Sequence, residues 1–131
     1  MPAIEIIQTE DAPAHTGPVP QAVSAAGWIY VSALFGADAK THVIPEDPAE
    51  EAGLLLDNLA AILAAAGAGL GDVVRAGIVM RDLQVDRPVF NQVWAERFAG
   101  HRPARSAIQS PEFGRPGEKA RFMLEVTAYR A

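Results

Sequence analysis

Between Asp47 and Gly67 the apolar residues Ala52, Leu55, Leu56, Leu59, Ile62, Leu63 and Ala66 recur three and four positions apart. That stripe has the period of an α-helix with one face turned to a core. The ends agree with it. Asp47 is placed to cap the first turn, Pro48 suits the first helical position, and Gly67 stands where a left-handed glycine stops a helix. Glu50 and Glu51 fall in the first turn, where the helix dipole favours acids. A helix this one-sided needs an apolar surface to lie on, and the remaining sequence supplies strands to build one.

The strands read as short runs of β-branched and aromatic residues between turn signals. They cover residues 4–8, 21–25, 28–32, 72–80, 104–109 and 119–129, with Ala26-Gly27 as a hairpin turn and 36–47 as a loop. A second helix spans Val85 to Ala99, with Phe90, Val93, Trp94 and Phe98 on one side. The order β-β-β-α-β-α-β-β predicts an α+β domain over residues 1–131: a mixed sheet of about six strands with both helices on one face. In the last strand Phe122, Leu124, Val126 and Ala128 form the helix-covered side. Arg121, Met123, Glu125, Thr127 and Tyr129 form the other, too mixed for a core and too apolar for open water. Self-association with a cleft at the interface is the simplest cover for that side.

Composition narrows the function classes. Half of the 131 residues are hydrophobic, 21% are charged and cysteine is absent, so the chain is globular and has no thiolate chemistry. The net charge of −5 hides a polarity: residues 1–74 carry ten acids against Lys40 alone, whereas 75–131 carry ten bases against six acids. The acidic total argues against nucleic acid as a partner. The N-terminus has no signal-peptide pattern and no apolar run approaches the ~20 residues that span a bilayer, so a cytoplasmic address is the expectation, with no membrane partner.

Candidate chemistry is sparse. His15, His42 and His101 lie far apart in loops, without metal-ligand spacing, so no metal is expected. Gly67-Ala68-Gly69-Leu70-Gly71 follows a helix and precedes a strand, the wrong order for cradling phosphate, and reads as helix termination. What stands out is Arg105 in Arg102-Pro103-Ala104-Arg105-Ser106. A guanidinium on a short edge strand is a five-donor fork whose natural guest is a carboxylate. Ser32 at the end of the third strand and Asn91 in the second helix complete a neutral-to-cationic pocket candidate.

These segments resemble the RidA/YjgF family, also called endoribonuclease L-PSP. The resemblance runs through Gly17-Pro18-Val19-Pro20-Gln21-Ala22-Val23, Val31-Ser32, Leu56-Asp57-Asn58-Leu59, Gly71-Asp72-Val73-Val74-Arg75, Phe90-Asn91 and Pro103-Ala104-Arg105-Ser106. It implies a chorismate-mutase-like subunit in a homotrimer with clefts between adjacent subunits. It also implies hydrolysis of enamines and imines such as 2-aminoacrylate to 2-oxo acids and ammonia, without metal or cofactor. Arg105 is then the substrate's carboxylate anchor, and Ser32, Ala33, Asn91 and the backbone near Ala107 line the cleft.

The chain departs from the family pattern at several places. Val19 stands where a tyrosine is usual, Ser32-Ala33-Leu34 where Ser-Gly-Gln is common, and Ala107 where cysteine is frequent. Of two glutamates usual in the last strand, Glu125 is kept and the other position, associated with the hydrolytic water, is Met123. Losing a positioned acid–base group costs about 10²–10⁴ in rate. A non-catalytic trimer that binds a small ligand or a protein is therefore the alternative reading. Ribonuclease action, the family's older name, ranks last.

Overall fold

The computed structural model describes residues 3–114 and 119–131. Its elements are β1 (Glu5–Ile7), β2 (Ala22–Ala25), β3 (Trp28–Leu34), α1 (Pro48–Ala65), β4 (Val73–Met80), α2 (Leu83–Phe98), β5 (Ala104–Gln109) and β6 (Phe122–Tyr129), with one 3₁₀ turn at Leu70–Asp72. They form a six-stranded sheet in the order β1-β2-β3-β6-β4-β5. Only β4 and β5 run parallel, joined by α2 as their crossover. The α+β class, the strand count and the two helices agree with the sequence reading.

Local chemistry explains the boundaries. Asp47 accepts from the Glu50 backbone N–H, which caps α1 as expected. At the other end Ala68 N–H donates to Leu63 O and Gly67 N–H to Ala64 O, with Gly67 at φ +79°: a Schellman stop. The β2–β3 turn places Ala26 at φ 52° and Gly27 at φ 89°, the twist a two-residue hairpin favours. α2 begins at Leu83, ahead of the expected Val85, because the Asp82 carboxylate accepts from Val85 N–H. β3 continues past Ser32 to Leu34, and its register against β6 slips between Val31 and Leu34. Ser32 and Ala33 thus sit in a bulge, a device that re-aims side chains.

The core lies between one sheet face and the helices. Leu55, Leu56, Leu59, Ile62 and Leu63 of α1 are buried against Ile29, Val31, Ile78, Leu124 and Val126. Fully burying each such side chain is worth about 1.5–3 kcal/mol. An aromatic column continues under α2, with ring centroids of Phe122 and Phe90 4.8 Å apart and of Trp94 and Phe98 4.2 Å apart. Among the described residues no helix packs on the opposite sheet face. Tyr30, Trp28 and Tyr129 are exposed there, and Trp28 stacks on Tyr129 at 4.7 Å.

The structure corrects two expectations. The last strand starts at Phe122 and not at 119, and Arg121 does not join the open face. Its guanidinium turns to Glu51 (2.8 Å) and to the carbonyls of Pro45 and Glu46. Glu51 in turn is fully buried, so it does more than favour a helix end. Its carboxylate accepts from Arg121 N–H at 2.7 Å and Phe122 N–H at 3.3 Å, holding the chain where β6 begins. Arg97–Asp57 and Arg130–Asp72 likewise pair the basic half of the chain with the acidic half.

Candidate functional site

Arg105 lies on β5, the outer strand of the sheet, paired with Ala76 of β4. Its side chain turns toward α2. There Nη2 donates to Asn91 Oδ1 at 2.5 Å, and the guanidinium carbon sits 5.2 Å from the Trp94 ring centroid and 6.0 Å from that of Phe90. Burial and the neighbouring Arg87 charge both lower its proton affinity from the ordinary value. A guanidinium stays charged at neutral pH regardless. Among the described residues it has no carboxylate partner, although Arg97, Arg121 and Arg130 each have one. A half-buried cation held by one neutral amide and two ring faces is a site prepared for an anion.

The recess beside it measures about 400 Å³ and is lined by Asn91, Trp94, His101, Pro103 and Arg105. The His101 ring is fixed by a 2.7 Å hydrogen bond to Val73 O. Trp94 was legible as part of an apolar stripe, not as the platform under the guanidinium.

Ser32 does not join this pair within one chain. Its hydroxyl donates to Pro20 O at 2.7 Å, and β3 is separated from β5 by β6 and β4. Three strand spacings amount to about 14 Å. Val19, Ala33 and Met123 gather in a second recess, also of about 400 Å³, with Leu34, Phe35 and His15 on its wall. Burial lowers the His15 pKa, which favours the neutral imidazole there at pH 7. Glu125 faces a third, smaller recess with Tyr30, Arg75 and Thr127. It lies beside Gly77 of β4, where an added Cβ would meet Glu125 Oε1 at 3.4 Å, an ordinary van der Waals contact. Ala107 packs half-buried against the core. The expected site residues therefore divide into separate patches of the subunit.

The rim of the second recess is organised by two buried amides. Gln21 donates from Nε2 to the carbonyls of Thr9, Ala12 and Pro13 at 3.0–3.1 Å and accepts from Thr9 N–H at 2.7 Å. Asn58 of α1 donates to Phe35 O and Ala37 O at 3.0 and 2.9 Å. Neither role shows in the sequence, where a buried amide in a helix or beside a strand looks like any polar residue. Among the described residues no three His, Asp or Glu side chains are grouped to hold a metal, and no helix is long and apolar enough to cross a membrane.

Comparison with known proteins gives a consistent neighbourhood. The sequence model of the family described as endoribonuclease L-PSP matches residues 9–129. The chain is 35% identical over 127 residues to the 2-iminobutanoate/2-iminopropanoate deaminase of Escherichia coli K12, covering 95% of this chain and 96% of that one. It is 40% identical over 106 residues to the bovine protein of the same name, covering 80% and 77%. Among solved structures, the YjgF gene product of E. coli superposes with a TM-score of 0.89 at 32% identity, covering 97% and 99%. E. coli TdcF, solved with bound serine, gives 0.89 at 30% identity, with the same coverage.

Proposed function

The chain belongs to the RidA/YjgF, or endoribonuclease L-PSP, family, and from that membership we propose that it is an enamine/imine deaminase working in clefts between the subunits of a homotrimer. The substrate is a small imino acid or its enamine tautomer. Water adds to the imine carbon, the carbinolamine collapses, and a 2-oxo acid and ammonia leave. No cofactor enters this scheme.

The observation that carries the reading is Arg105, half-buried on Trp94 and Asn91 with no carboxylate partner among the described residues. It anchors the substrate's carboxylate. β5 is an edge strand, so alternate backbone N–H groups near Ala107 point away from the sheet and can support the same anion. Separation of Arg105 from Val19, Ala33 and Met123 within one chain fits a cleft that two subunits complete, and the exposed Trp28, Tyr30 and Tyr129 give those subunits an apolar face to share. In this reading Glu125, the one carboxylate in β6, handles protons in the cleft, and Ser32 braces its wall through Pro20.

The test is release of 2-oxo acid from enzymatically generated 2-aminoacrylate, with wild type and Arg105→Ala compared at equal concentration, alongside mass by light scattering. Acceleration lost in the variant and a trimer mass are expected. Rates equal to buffer for both proteins, or a monomer, sink the proposal.

Met123 favours a second reading. With methionine where the hydrolytic water's glutamate is usual, the cleft can bind without turning over. Carboxylate binding that depends on Arg105, without ammonia release from any imine offered, selects that reading.

A further inference from the structure

Four residues, Val19, Ala33, Leu34 and Met123, are scattered over more than a hundred positions of sequence. The fold brings all four into the wall of one recess. Each carries an apolar side chain, and Phe35 and Ile44 extend the same wall. At about 400 Å³ the space lies within the range of small-molecule sites. It far exceeds what the single methylene carbon of 2-aminoacrylate can fill. An apolar, preformed space of this size gains nothing from a small polar guest and gains steadily from each buried methylene.

We propose that this recess is the specificity pocket for a long apolar side chain, so that the preferred substrates are imines of branched-chain, thioether or aromatic amino acids. The inference rests on the deaminase reading above, in which Arg105 of an adjacent subunit takes the carboxylate while this recess takes the side chain. Val19 and Met123 are the specificity-determining residues. Val19 puts a small branched side chain on the wall, and Met123 supplies a flexible thioether that moulds to varied shapes. Gln21 and Asn58 hold the surrounding backbone, so the space exists before the ligand arrives.

Binding of the product acids tests this independently of turnover. Titration calorimetry with 4-methyl-2-oxopentanoate and with pyruvate is run on the trimeric wild type, Met123→Glu, Val19→Tyr and Arg105→Ala. The longer acid is expected to bind at least tenfold more tightly to wild type, within the roughly 10–200-fold discrimination that apolar pockets achieve per methylene. Val19→Tyr and Met123→Glu are each expected to erase that preference while pyruvate still binds, and Arg105→Ala to weaken both acids. Equal affinities for the two acids in wild type, both dependent on Arg105, overturn the pocket assignment and leave the deaminase reading standing. A preference untouched by both recess variants likewise overturns it. Binding of neither acid overturns the anchoring role of Arg105 itself.

Discussion

The Glu51 carboxylate grips Arg121 twice, at its backbone N–H (2.7 Å) and at its guanidinium (2.8 Å), joining the first turn of α1 to the start of β6 across 70 residues. Glu51 has no solvent exposure, while about 30% of the Arg121 side chain remains accessible. Removing one partner of a buried pair leaves the other uncompensated, which typically costs 3–5 kcal/mol. Arg121 can recover some hydration, so Glu51→Ala is expected near the lower end, at about 3 kcal/mol in urea unfolding. A loss below about 1 kcal/mol contradicts the role assigned here.

The same carboxyl gives a pH signature. Burial pushes its pKa up, and the Arg121 hydrogen bonds and charge only partly pull it back. A folded-state pKa above the unfolded value means the native state holds its proton longer. The associated stability is fully present below the ordinary glutamate pKa of about 4.3 and is lost as pH rises through the raised value. The stability difference between wild type and Glu51→Gln should therefore shrink across that acidic-to-neutral window and then level off. Asp86, also raised by burial, titrates in both proteins and cancels in the difference. A difference that grows with pH shows the opposite shift.

Asn91 orients Arg105 through a single 2.5 Å hydrogen bond, while Trp94 fixes the plane of the guanidinium. A hydrogen bond to a charged group is worth about 1.5–3 kcal/mol, and the arginine keeps its charge without it. Asn91→Ala is therefore expected to weaken carboxylate binding about tenfold, with the oligomeric mass unchanged from wild type. Arg105→Lys keeps the charge but loses the planar fork and should weaken it further. Calorimetric titration with a 2-oxo acid ranks the variants. Wild-type affinity in Arg105→Lys means a point charge suffices and the fork is not used.

Much of this was legible before any coordinates. The 3.6-residue stripe of α1, its Asp47 cap and its Gly67 stop are local signals, and local chemistry decided them. Alternation in β6 assigned Met123 and Glu125 to the open face correctly, because a strand's period fixes its sides once one side is apolar. Arg121 defeated the same rule. It precedes the strand, and a partner 70 residues away claims its side chain. Within one subunit Ser32 stands apart from Arg105 and Asn91 for a similar reason: sheet order is a long-range property, and two strands intervene. Gln21 and Asn58 were invisible because their partners are carbonyls of distant loops, which carry no residue-type signal.

Gln21 offers the cleanest probe of how far that loop scaffold matters. It is buried, and its amide serves the carbonyls of Thr9, Ala12 and Pro13 while accepting Thr9 N–H. Gln21→Leu keeps the volume but strands buried carbonyls, each costing about 1–3 kcal/mol when unsatisfied. The expected result is a loss of about 2–4 kcal/mol and weaker binding of long-chain 2-oxo acids, with pyruvate affected less, since Pro13 and His15 border the apolar recess. Equal weakening of long and short acids shows that the segment acts on the anchor instead of the pocket.

Gly36 sits against the backbone of α1 so closely that a Cβ there would lie 2.3 Å from Glu51 O and 2.9 Å from Glu51 Cγ. The obstacle is helix backbone, which cannot rotate aside as a side chain would. Glu51 is itself pinned by Arg121 and Phe122, so the helix turn has little freedom to retreat. Overpacking typically costs 1–3 kcal/mol and occasionally more, and Gly36→Ala is expected at about 3 kcal/mol or above. Gly17, with nothing within 4 Å of the corresponding position, is the matched control and should change by no more than about 0.5 kcal/mol. Urea midpoints for the two variants decide the point. Similar losses at both glycines trace the cost to the conformational change common to the substitutions, and a large loss at Gly36 alone traces it to the contact with α1.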